Sequence, residues 1–280
     1  MNAFHERHEG LLDPEAISSK RILVVGCGSV GSVAAMLLAR SGVKHFVLVD
    51  PDAVSETNLC RSAYDKEDIG KPKVTALERH LQAIRGEVRV DARADCLGDL
   101  DDSELEELIA GVDLVVATTD HPPTQGRIGA LSYHVTPAVF AGVYARGTGG
   151  EVIYTLPDQT PCYACVLGAV RDANMPSRGQ TEYGIATGQL AAEPALGIDI
   201  QHVTVCAAKI ALALLLLGSG VDAEQTIDPS RSVLFVGNKV DWIWKAPLET
   251  VWARANRREA CVCRLAPGES TADLIDDEEI

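Results

Sequence analysis

Gly26-Cys27-Gly28-Ser29-Val30-Gly31 forms a G-x-G-x-x-G between an apolar run, Arg21 to Val25, and a segment of helical spacing. Glycines so placed allow a tight turn and let a phosphate approach the N–H groups at a helix start. Asp50 closes the next apolar run, where a carboxylate accepts hydrogen bonds from ribose hydroxyls. The pair predicts a nucleotide site, the plain alternative being glycines that serve helix packing alone. Just past Asp50 come Asn58, Arg61 and Lys73. A triphosphate needs cations around its phosphates, whereas a dinucleotide mainly needs backbone donors. Arg61 and Lys73 are candidates for that work, against the ordinary fate of Lys and Arg as solvated surface charges.

Two close cysteine pairs, Cys162-Tyr163-Ala164-Cys165 and Cys261-Val262-Cys263, supply the four thiolates of a tetrahedral structural Zn²⁺ site. The alternative is four reduced free cysteines. Cys206 lies among Val203, Val205, Ala207, Ala208 and Ile210, the setting of a packing residue rather than a nucleophile. Cys27 is inside the glycine loop, and Cys60 adjoins Arg61, a setting that favours thiolate reactivity.

The elements that must position these groups alternate. Arg21–Val25 and Phe46–Val49 read as strands buried on both faces, with a helix from Ser29 to Arg40 stopped by Gly42: a βαβ unit. Further on, Lys71–Arg85 predicts a helix, Val88–Ala92 a strand, Ser103–Ala110 a helix and Val112–Ala117 a strand. Ala138–Val143, Glu151–Leu156, Val233–Val236 and Trp242–Lys245 predict later strands, and Val203–Leu217 a helix after a long loop from Arg171 to Ala195. The fold expected is α/β, a Rossmann-like, doubly wound, mostly parallel sheet, with a C-terminal extension fastened by the zinc site. Three parts are expected: an N-terminal segment, 1–20; a nucleotide-binding domain, 21–266; and an acidic mobile tail, 267–280.

With 46% hydrophobic residues in 280, the chain is apolar enough to bury a core. Its 25 Lys+Arg against 40 Asp+Glu give a net charge of -15, which opposes binding to phosphate backbones or anionic membranes, so nucleic acid is not an expected partner. Ile210 to Leu217, the most hydrophobic stretch, falls short of the roughly 20 residues that span a bilayer. The charged first twenty residues lack the apolar core of a signal peptide, and a cytoplasmic location is expected.

The sequence resembles the ThiF/MoeB/HesA superfamily of ubiquitin-activating-enzyme-like adenylyltransferases. Four motifs carry the resemblance in order: Gly26 to Gly31; Asp50-Pro51-Asp52-Ala53-Val54 with Asn58-Leu59-Cys60-Arg61; Asp68-Ile69-Gly70 with Lys73; and Ala117-Thr118-Thr119-Asp120. The resemblance implies ATP as substrate, bound by Gly26, Gly28, Ser29, Gly31, Asp50 and Asp52. It implies that Asp50 holds the ribose, that Asn58, Arg61 and Lys73 surround the phosphates, and that Asp120 binds Mg²⁺. It further implies a homodimer in which an N-terminal arginine, for which Arg7 is the candidate, reaches the neighbouring subunit's site. His121-Pro122-Pro123 and Gln125 stand where the family has Asn and, a turn later, Arg, with Arg127 two places on. The activity implied is adenylation of the C-terminal carboxylate of a ubiquitin-like or sulfur-carrier protein. Same-fold adenylation of a small molecule, a peptide or a tRNA-borne carboxylate, a nicotinamide oxidoreductase and a non-catalytic adaptor are the rival readings.

Overall fold

The computed structural model describes residues 3–172, 194–221, 226–259 and 261–264. Its strands are β1 (Arg21–Val25), β2 (His45–Val49), β3 (Arg89–Arg93), β4 (Leu114–Ala117), β5 (Ala138–Val143), β6 (Gly149–Thr155), β7 (Val233–Gly237) and β8 (Thr250–Ala253). The helices are α1 (Pro14–Ser19), α2 (Gly31–Ser41), α3 (Lys73–Ile84), α4 (Asp102–Ala110), α5 (Pro122–Ser132), α6 (Tyr163–Asp172) and α7 (Gly197–Leu215). One eight-stranded sheet runs in the order β3-β2-β1-β4-β5-β6-β7-β8.

Apolar residues alternate across the sheet because successive side chains of a strand point to opposite faces. Ile22 and Val24 of β1 pack with α2, α3 and α7 through Leu38, Leu77 and Val203. Leu23 and Val25 pack on the other face with Leu105 of α4, Ile128 of α5 and Val166 of α6. Burial on both faces explains the uninterrupted apolar runs of β1, β2 and β4.

The α/β, doubly wound reading holds, but the sheet is mixed. Pairings from β3 through β5 are parallel, whereas β5–β6, β6–β7 and β7–β8 are antiparallel. The short link Tyr144–Thr148 joins β5 to β6, too few residues for the crossover helix a parallel pair needs. The strand expected at Trp242–Lys245 is a turn closed by an isolated bridge between Asp241 and Trp244, and the last strand is Thr250–Ala253 instead. Trp242, in the left-handed region at φ 47°, cannot continue a strand, and Trp244 is buried over Gly149 and Gly237, whose missing side chains leave it room.

Helix starts also move. α2 begins at Gly31 rather than Ser29, and α3 at Lys73, after Pro72 in extended geometry. α7 begins at Gly197, so its 19 residues make it, among the described residues, long and apolar enough to cross a bilayer by length and composition. Ile200, Val203, Ala207, Ile210 and Leu214 are nevertheless buried in the core against the sheet and α2. Helices α5 and α6 were not expected from periodicity. Of the loop expected at 171–195, residues 173–193 lie outside the described residues, as does the tail at 267–280.

Candidate functional site

Gly26 ends β1 at φ +89°, a conformation that glycine adopts without strain, and a Cβ there would lie 2.8 Å from Thr119 N of the β4 exit. At Gly31 a Cβ would collide with the Gly26 carbonyl. These two glycines are required by packing. Gly28 differs, because a Cβ built there meets nothing within 4 Å. The space above it is open, and α2 has no side-chain cap at its N-terminus. Uncapped helix N–H groups beside an open glycine loop can receive an anion.

The end of β2 is tied to this loop. Asp50 Oδ2 accepts from Cys27 N–H at 2.6 Å, and Oδ1 accepts from Asp52 N–H at 2.9 Å. Lys73, at the first turn of α3, places Nζ 2.6 Å from Asp52 Oδ2 and 3.6 Å from Asp50 Oδ1. Asp50 and Lys73 are both buried. Burial raises the Asp50 carboxyl above its ordinary range, opposed by the Lys73 charge and the two N–H bonds. Asp50, the glycine loop and the Lys73 cation therefore form one unit.

Asn58 and Arg61 lie on a segment whose end, Ala63–Tyr64, is bonded to the loop and the start of α2. Asn58 caps a 3-10 turn, its Oδ1 accepting from Ser55 N–H at 2.9 Å. Ala63 N–H then bonds Ser32 Oγ at 3.1 Å, Ser32 Oγ–H bonds Gly28 O at 2.7 Å, and Tyr64 O–H bonds Cys27 O at 2.6 Å. Arg61 meets the start of α7, where its carbonyl accepts from Gln201 Nε2 at 3.2 Å and Gly197 packs on its Cα. Ser32 and Tyr64 were not singled out from sequence. The signal was present in Tyr64, the one aromatic residue between Asn58 and Lys73.

Asp120 stands at the exit of β4, which pairs directly with β1. It is exposed and makes no ion pair or hydrogen bond among the described residues. Thr118 Oγ1 bonds Gly26 O at 2.7 Å, bringing this exit onto the glycine loop. Gln125 Nε2 bonds Thr119 O at 2.8 Å. Arg127 faces away, spending its guanidinium on Asp102 at 2.7 Å and on the carbonyls of Leu97 and Leu100. Ser29 is half-buried in the loop. Arg7 is exposed on a turn whose His5 packs on Gly42. Gly42 caps the end of α2 remote from the loop, and 11 residues of helix span about 16 Å.

Cys162, Cys165, Cys261 and Cys263 converge, their sulfur atoms all within 4.8 Å of one another. Two of the separations are 3.4 Å (Cys162–Cys261) and 3.6 Å (Cys165–Cys263). A tetrahedral Zn²⁺ with ~2.3 Å bonds sets its sulfurs about 3.8 Å apart, so the donor set fits in type and spacing. Burial pushes the Cys165 thiol up to about 11 and raises Cys162 as well. Burial also opposes ionisation of Cys261, but the Cys263 N–H and neighbouring thiols directed at its sulfur bring it down overall. Arg258 N–H donates to Cys165 Sγ at 3.2 Å, the kind of contact that steadies a thiolate ligand. Cys206, by contrast, is partly buried on α7 against the core, and burial raises its thiol.

The ThiF family profile matches residues 6–231. Molybdopterin-synthase adenylyltransferase of Escherichia coli strain K12 is 33% identical over 153 residues, 54% of this chain and 60% of that protein. SAMP-activating enzyme E1 of Haloferax volcanii is 31% identical over 151 residues, 53% of this chain and 54% of that protein. The chain thus matches between half and two thirds of the length of these relatives. Among solved structures, E. coli MccB with AMPCPP and MccA has the same fold at a TM-score of 0.66, over 89% of this chain and 67% of that one, with 17% identity. The profile match over residues 6–231, joined to a glycine loop, an Asp50–Lys73 pair and a β4 exit gathered at the C-terminal ends of β1, β2 and β4, shows that this chain belongs to the ThiF family.

Proposed function

We propose that this protein binds ATP at the loop Gly26–Gly31 and uses it to adenylate the C-terminal carboxylate of a ubiquitin-like or sulfur-carrier protein. The observation that carries the reading is the open space over Gly28, set between uncapped α2 N–H groups and the buried Asp50–Lys73 pair. Relatives named as molybdopterin-synthase adenylyltransferase and SAMP-activating enzyme E1 support it.

Asp50 accepts the ribose hydroxyls, while Asn58, Arg61 and Lys73 meet the phosphates. Asp120 holds the Mg²⁺ that accompanies ATP and offsets phosphate charge. A carboxylate oxygen of the carrier attacks the α-phosphorus, the bond from that phosphorus to the bridging oxygen breaks, and pyrophosphate leaves with the electron pair. Catalysis rests on positioning and on cations placed where charge shifts toward the leaving group. The acyl group then passes to an external thiol, sulfide source or amine, which attacks the acyl carbon and expels AMP with the electron pair of the acyl–oxygen bond, since Cys206 is a packing residue. A structural Zn²⁺ on Cys162, Cys165, Cys261 and Cys263 would fasten the C-terminal part of the domain formed by residues 21–266 to the start of α6. The enzyme is read as a cytoplasmic homodimer, with Arg7 completing the neighbouring subunit's site.

Mass spectrometry of each candidate carboxylate after incubation with ATP and Mg²⁺ tests this directly. An AMP-bearing carrier protein is the expected product. An AMP adduct formed only on a short peptide or a small molecule would replace the proposed substrate, and no adduct on any carboxylate would reject the activity.

A further inference from the structure

Asp120 has no partner among the described residues to aim its carboxylate, so its direction depends on the peptide that precedes it. That peptide is held from behind. Gln125, 3% exposed, donates Nε2–H to Thr119 O at 2.8 Å, and its Oε1 accepts from Tyr163 O–H at 2.6 Å. The orientation of the amide follows from chemistry, since a backbone carbonyl can only accept and must therefore face the NH₂ group.

Tyr163 is itself fixed. It is 1% exposed, its ring lies on Phe140 with centroids 4.3 Å apart, and a Cβ at Gly129 of α5 would come within 2.7 Å of its own Cβ. It also sits inside the Cys162–Cys165 spacing, at the first turn of α6. A continuous chain of buried contacts therefore runs from the four-cysteine cluster through Tyr163 and Gln125 to the Thr119–Asp120 peptide. A Gln at position 125 makes this bridge because its amide presents both a donor and an acceptor; the Arg of the family pattern has no acceptor for Tyr163 O–H.

We propose that Tyr163 and Gln125 are positioning residues that couple the aim of Asp120 to the integrity of the four-cysteine cluster. The inference rests on the reading of Asp120 as a Mg²⁺ ligand. Loss of metal from the cysteines loosens the first turn of α6 that carries Tyr163, slackens Gln125 and weakens Mg²⁺ at a site that shares no ligand with the cluster.

The test uses full-length wild type, Tyr163→Phe, Gln125→Met and the double variant. Zinc is measured by elemental analysis, the Mg²⁺ dependence of binding of a non-hydrolysable ATP analogue by calorimetry, and hydrogen exchange of residues 118–121 without nucleotide. Tyr163→Phe keeps the ring and its packing, so zinc content is expected to be unchanged. Its Mg²⁺ midpoint is expected to rise roughly five- to tenfold, the loss of about one hydrogen bond, with Mg²⁺-free analogue binding unaltered. The double variant should shift no further than the worse single, because both act through one chain of bonds. Chelated wild type should show the same shift and the same faster exchange at 118–121. An unchanged midpoint in both single variants, with exchange at 118–121 also unchanged, overturns the coupling. If wild-type analogue binding proves independent of Mg²⁺, the reading of Asp120 falls instead, and the exchange comparison alone then decides whether the link exists: faster exchange upholds it and unchanged exchange rejects it.

Discussion

Lys73 and Asp50 form a buried ion pair, Nζ to Oδ1 3.6 Å, at the mouth of the glycine loop. Burial raises the Asp50 carboxyl, against the Lys73 charge and two N–H bonds. The folded state therefore holds this proton to a higher pH than the unfolded chain does. Stability from the group is present at low pH and is lost as pH rises from the ordinary carboxylate range through the raised folded value. Near neutrality the ionised Asp50 is a cost to folding. Asp50→Asn, whose amide can accept only one of the N–H bonds from Cys27 and Asp52, is expected to lose nucleotide affinity with at most a modest fall in melting temperature at pH 7. A large drop in melting temperature with nucleotide binding intact would show that Asp50 is structural.

Arg61→Ala and Lys73→Ala are each expected to slow adenylation by roughly one to three orders of magnitude, as when a charge-stabilising group is removed. Lys73→Ala should also destabilise the fold, since it strands Asp50 without its cation. Rates equal to wild type would leave Arg61 and Lys73 with structural roles only.

Much of this site was legible because it is local. The glycine loop lies within one βαβ unit, where strand and helix periods leave clear traces, and Asp50 and the segment from Asn58 to Lys73 follow directly after it. The cysteine cluster was also readable, although its halves lie 99 residues apart at Cys162 and Cys261, because thiolate pairs are rare enough to carry a signal alone. The antiparallel half of the sheet was not. Its strands are short apolar runs whose direction is set by the length of their connections, and the turn at Trp242 has the apolar composition of a strand. The roles of Gln125, Ser32 and Tyr64 were hidden for a different reason. Each acts through a contact made only after distant elements meet, as between α5 and α6 or between the Asn58–Tyr64 segment and α2.

Cys206→Ala should leave adenylation and acyl transfer within about twofold of wild type, because a half-buried thiol with a raised pKa is a poor nucleophile. A reducible adduct between carrier and wild-type enzyme that disappears in this variant would identify Cys206 as the acyl acceptor.

One Zn²⁺ per chain is expected by elemental analysis, lost when Cys162 and Cys263 are replaced by Ser. Binding should weaken as pH falls, since ligation requires thiolates and burial holds Cys162 and Cys165 protonated in the metal-free site. Chelation should lower the melting temperature, because the metal closes a long loop that the unfolded chain leaves open. Protein purified without chelator that contains no zinc and has all four thiols freely titrating would leave the cluster a set of packed cysteines.

The central claim is tested most directly by exchange of labelled pyrophosphate into ATP, which reports reversible acyl-adenylate formation whatever the final acceptor. Wild-type protein is predicted to catalyse this exchange only when Mg²⁺ and a carrier protein with a free C-terminal carboxylate are both present. Asp120→Ala is predicted to abolish it while the fold remains intact, because this exposed carboxylate packs against nothing in the core. Carrier-independent exchange, or full exchange by Asp120→Ala, would contradict the account.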